Sequence, residues 1–157
     1  MTRGEIEQLL DAYRTGLEHE LALLQRLATL AEQQRSSTET RHFERLAADS
    51  DERDRVTHQL MGLEETLADV RHRIGGIRAQ AAVFPAYHAI VALRRQAADL
   101  VSKVLSIDQE SMKTLSDAET ARRAAMAGLE KGETTLAAYR KVLAPSVAHA
   151  AIVDRVG

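Results

Sequence analysis

The chain lacks cysteine and tryptophan, has prolines only at positions 85 and 145, and is just 3% aromatic over 157 residues. Without cysteine there is no disulfide, no thiol nucleophile and no thiolate metal site. A sheet protein draws more heavily on aromatic and β-branched residues than this chain does. No apolar run approaches the ~20 residues that span a bilayer. The opening Met1-Thr2-Arg3-Gly4-Glu5 lacks the basic start and apolar stretch of a secretion signal, so the cytoplasm is the expected location. A net charge of −2 argues against nucleic acid, which calls for a basic face that displaces counterions.

What is present favours helix. Alanine fills 26 positions, and Leu, Glu, Gln and Arg supply much of the rest. The length suits one domain. Thr2 and Glu5 predict a capping box that starts the first helix. Ile6, Leu10, Tyr13, Leu17, Leu21, Leu24, Leu27 and Ala31 then recur at three and four, one face of a helix. Leu9, Leu23 and Leu30 widen that stripe enough for two neighbours. Ser36 and Glu39 predict a second capping box and a second helix starting there.

Val56, Leu60, Leu63, Leu67, Val70, Ile74, Ile77 and Ala81 are spaced 4-3-4-3-4-3-4, a heptad seam. Projected backward, its register meets Arg53 and Asp49. The charged stretch from Asp49 to Arg55 reads as solvated helix near the bundle's end. Gly75-Gly76 predicts a kink rather than a stop, since the apolar register crosses it. Pro85 suits the first turn of a third helix. The third seam is Leu93, Ala97, Leu100, Val104, Ile107, Ser111, Leu115 and Ala118, flanked by Ile90, Val91, Val101 and Leu105. After Ala118 the seam weakens, and Gly128 and Gly132 loosen the chain. Met126, Leu129, Leu136, Tyr139 and Leu143 are apolar positions here with no evident intramolecular seam, and two readings stand for Leu136, Tyr139 and Leu143: packing back on the bundle, or docking a partner.

The expected architecture is all-α: an antiparallel three-helix coiled-coil bundle over 1–128, with a helical, partly mobile C-terminal extension over 129–157. No catalytic constellation emerges. There is no phosphate loop and no nucleophile elbow. Glu39-x-x-His42 resembles the Glu-x-x-His element of di-iron bundles, and Asp69-Val70-Arg71-His72 a degenerate copy. Both fall in the predicted second helix, about 45 Å apart at 1.5 Å per residue, whereas such a site draws on facing helices. Glu64-Glu65 and Asp51-Glu52 read as solvated faces. Arg94-Arg95 and Arg122-Arg123 are too small a basic surface for RNA. No enzyme, cofactor or metal is therefore expected.

A long Leu- and Glu-rich first helix, a break near residue 36, a charged second helix, a hairpin at Pro85 and a third helix running through Leu100–Leu115 are now in place. Across residues 5–143 this order resembles the FlgN-type flagellar type III export chaperones. In that family the third helix often carries two Asn three apart after an apolar residue; here Asp108 and Ser111 take those places after Ile107. The resemblance implies a cytoplasmic chaperone that binds the amphipathic C-terminal region of hook–filament junction proteins. It would prevent their premature assembly and deliver them to the export gate. It implies client binding through the C-terminal part of the chain, which maps to Met126, Leu129, Leu136, Tyr139 and Leu143. A FliT-like chaperone has similar helices and a similar task. The expected state is a monomer or weak homodimer, with no membrane insertion. The alternative reading is a self-associating structural coiled coil.

Overall fold

The computed structural model describes the backbone of residues 1–143 and the side chains of residues 1–132. The fold is all-α, with no strand among the described residues. Helix α1 runs Arg3–Glu39, α2 Phe43–Gly76, the single turn α3 Arg78–Ala81, and α4 Pro85–Leu143. The chain divides into two compact units, Met1–Thr114 and Leu115–Gly157.

The first unit is a three-helix bundle. Its chain directions follow from cross-helix pairs. Tyr13 meets Arg71, Arg26 meets Glu52 and Gln34 meets Ser50, so α1 and α2 are antiparallel. Arg78, in the turn α3 that follows α2, meets Tyr87 at the start of α4, and Arg53 of α2 meets Asp108 farther along α4, so α2 and α4 are antiparallel as well. Arg3 sits over the Phe84 ring and Arg35 reaches Glu110, which leaves α1 and α4 parallel.

The predicted α1 start is present. Glu5 N–H donates to Thr2 Oγ1 at 3.2 Å, and Thr2 N–H donates to Glu5 Oε2 at 2.6 Å. The second capping box does not form. Ser36 and Glu39 stay inside α1, which runs past the expected break. There His42 N–H donates to the Ser37 carbonyl at 2.8 Å and Arg41 N–H to the Thr38 carbonyl at 3.3 Å. Arg41 adopts φ 59°. This is a Schellman stop with arginine where glycine is usual. It satisfies two helix-end carbonyls, whereas starting a new helix at Ser36 would have left them to water.

Gly75-Gly76 ends α2 outright, correcting the expected kink. The register nevertheless crosses the break: Ile74 and Ala81 are buried and Ile77 packs against the same cluster. Pro85 is the first residue of α4, as its missing N–H favours. Gly128 and Gly132 lie inside α4 without interrupting it.

The main core joins Ile6, Leu9, Leu10, Tyr13 and Leu17 to Leu67, Ile74, Ala81 and Ile90. The most extensive backbone approach is between α1 and α2. Gly16 makes it possible, since a Cβ there would collide with the buried Leu67 side chain. A smaller cluster, Ala28, Ala31, Val104 and Ile107, joins α1 to α4 alone. Alongside it α2 contributes charge instead of apolar bulk. Arg53 donates to both Asp108 oxygens at 2.7 and 2.5 Å and to Gln34 Oε1 at 2.7 Å. Arg26 pairs with Glu52. The Asp49–Arg55 stretch is therefore partly an interhelical polar layer, where a solvated face was expected. Position 53 belongs to the seam, and a long guanidinium can reach a carboxylate on the third helix.

Candidate partner-binding segment

In the second unit, none of residues 115–132 is buried. Glu119 accepts from Arg122 at 2.8 and 2.9 Å and from Arg123 at 3.1 Å. The two guanidiniums hold its carboxyl down at about 2. These i, i+3 and i, i+4 contacts support the helix locally and bury nothing. Arg122-Arg123 is thus neutralised in part by its own turn.

Of the residues expected to bind a partner, Met126 is 43% and Leu129 63% exposed. Leu136, Tyr139 and Leu143 lie on α4 but outside the residues whose side chains are described. Leu115 and Ala118, expected to extend the third seam, are exposed. Leu93, Ala97, Leu100, Val104, Ile107 and Ser111 turn inward as the seam predicts, and Ile90 joins them as core where it was read as flanking.

Within the first unit α4 carries a second apolar row that is exposed: Val101, Leu105 and Met112. Leu105 and Met112 are 57% and 70% exposed. The signal was available in the spacing, since 101, 105 and 112 share a heptad row beside the core seam. Val101 and Leu105 flank the seam as the sequence reading placed them, and Met112 extends their row.

Asp108 and Ser111, the positions that follow Ile107 in the third seam, are both turned toward the other helices. Asp108 is engaged by Arg53, with side-chain exposures of 29% and 23%. The Ser111 hydroxyl is buried with no hydrogen-bond partner among the described residues. Asp108 and Ser111 thus face the bundle interior.

The di-iron-like elements are pulled apart. Glu39 is the last residue of α1 and His42 precedes α2, so they do not share a helix as expected. His42 Nδ1 is 2.8 Å from the Thr40 hydroxyl. Asp69 and His72 are exposed. No cluster of three or more potential metal ligands occurs among the described residues. Glu64 is not a free solvated carboxylate: it accepts from Arg71 at 2.8 Å. No described helix is long and apolar enough to cross a membrane.

Comparison of the chain with protein-family models, with curated proteins and with solved structures finds no match.

Proposed function

We propose that the protein is a cytoplasmic export chaperone of the FlgN type, which covers the amphipathic C-terminal helical region of hook–filament junction proteins and delivers them to the export gate. The observation supporting this reading is the uncovered apolar surface at Met126 and Leu129, on a helical segment with nothing buried between residues 115 and 132. A helix of this kind offers an apolar face for a partner helix to complete. The partner would be ordered on contact, which lowers affinity for a given area and suits release at the gate. No catalytic step is involved.

The test is titration of the full chain with a peptide spanning such a client region. Met126→Ala with Leu129→Ala should weaken binding at least tenfold, about 1.4 kcal/mol, with helix content and Tm unchanged. Unchanged affinity would remove these residues from the client surface.

The exposed row Val101, Leu105 and Met112 favours a second reading, a self-associating structural coiled coil. Tight homodimerisation abolished by Leu105→Glu, with no client binding, would establish it in place of the first.

A further inference from the structure

Residues 70–98 contain five arginines and two histidines and no aspartate or glutamate. This acid-free stretch forms the end of α2, the turn α3 and the start of α4. It borders a groove of about 310 Å³ within the first unit. Three guanidiniums line the groove, those of Arg71, Arg78 and Arg94, together with the phenols of Tyr13 and Tyr87.

The hydrogen bonding is one-sided. Arg71 Nε donates to the Tyr13 hydroxyl oxygen at 3.3 Å, and Arg78 Nε donates to that of Tyr87 at 3.2 Å. Each phenol oxygen is thereby used as an acceptor, and its own proton remains to be given. Arg71 also holds Glu64. Arg78 and Arg94 form no ion pair with any described carboxylate. Glu20 feels the charge of Arg94 across an adjoining cavity of about 290 Å³, without an ion pair. No carboxylate lines the groove itself, while Ile74, Ile90 and Val91 give it an apolar wall.

A cleft offering side-chain donors to acceptors from elsewhere selects an anion. Guanidinium forks match the paired oxygens of a phosphate or carboxylate. The volume lies at the lower end of the range for small-molecule sites. We propose that this groove binds a small molecule bearing an oxyanion, held by Arg78 and Arg94 with the Tyr87 hydroxyl, its apolar part against Ile90 and Val91. This site is independent of the partner-binding segment.

The full chain would be titrated with inorganic phosphate and, separately, with acetate, at constant ionic strength maintained with sodium chloride. The arginine Nε–H signals are followed by NMR. The expected result is saturable movement of the Arg78 and Arg94 signals with at least one probe. Arg78→Gln with Arg94→Gln should weaken that binding at least tenfold while Tm and helix content hold. Both residues are exposed and form no ion pair with a described carboxylate, and the one hydrogen bond lost, Arg78 to Tyr87, is exposed, so the effect on folding is small. Arg73→Gln, outside the groove, should leave binding unchanged. Saturation by phosphate alone assigns a phosphate-bearing ligand, by acetate alone a carboxylate, and by both an oxyanion site without that selectivity. No saturable movement with either probe would overturn the proposal. So would equal binding by the double variant.

Discussion

Two residues sit against local preference for reasons that can be measured. Arg41 occupies a left-handed position that costs a non-glycine residue roughly 1 kcal/mol. It is exposed, and no described carboxylate forms an ion pair with it. Arg41→Gly should therefore stabilise the chain by about 0.5–1 kcal/mol, read as a higher denaturation midpoint at unchanged slope. Glu20 is the second. Burial lifts its carboxyl above the ordinary value, and the charge of Glu64 adds to the shift, while Arg71 and Arg94 oppose it. The folded chain thus keeps this proton to higher pH than the unfolded chain does. Its contribution to stability is fully present below the ordinary carboxylate range and is lost as pH rises through the raised value. Glu20→Gln should remove that slope. Near neutral pH it should stabilise by about 0.5 kcal/mol, a figure kept small because the site is largely solvated. A chemical-denaturation series from pH 4 to 8 on both proteins checks the sign.

At the scale of elements, α2 is two different helices end to end. From Leu67 to Ile74 it inserts apolar side chains into the main core. From Phe43 to Arg55 it is held chiefly by Arg53 with Asp108, Arg26 with Glu52, and Gln34 with Ser50. Polar contacts of this kind contribute less than apolar burial and weaken with salt. Amide hydrogens of residues 45–55 should accordingly exchange faster than those of 63–74, and the difference should widen at high ionic strength. Equal protection would show that α2 opens as one unit. The Arg53–Asp108 pair is mostly buried, so Arg53→Ala should cost about 1–3 kcal/mol by stranding Asp108. Replacing both partners together should cost less than the sum of the single changes in a double-mutant cycle.

For the whole molecule, the decisive quantity is mass in solution. On the proposed chaperone reading, light scattering across a concentration series should give a monomer or a weak dimer, with a defined heterocomplex once a client-region peptide is added. A tight dimer at all concentrations would transfer the exposed row of Val101, Leu105 and Met112 to self-association. The readings differ because an apolar helix face left open by its own chain is satisfied either by another copy or by a different helix.

The sequence by itself determined the all-α class, the α1 cap at Thr2, the start of α4 at Pro85 and the apolar seam from Val56 to Ala81. These features are local: capping, proline geometry and heptad spacing act within a few residues. Where α1 stops was not legible, because its Schellman turn carries arginine in place of the glycine that signals it, and only the folded chain shows Ser37 and Thr38 buried inside the helix. The tertiary structure alone decided that Arg53 and Asp108 meet, since they lie on different helices. It decided too where the α4 seam begins and ends, burying Ile90 and leaving Leu115 and Ala118 exposed, because that depends on how far the facing helices reach. The grouping of Arg71, Arg78 and Arg94 around one groove depends on three separate elements folding to one end of the bundle, and no spacing along the chain encodes that.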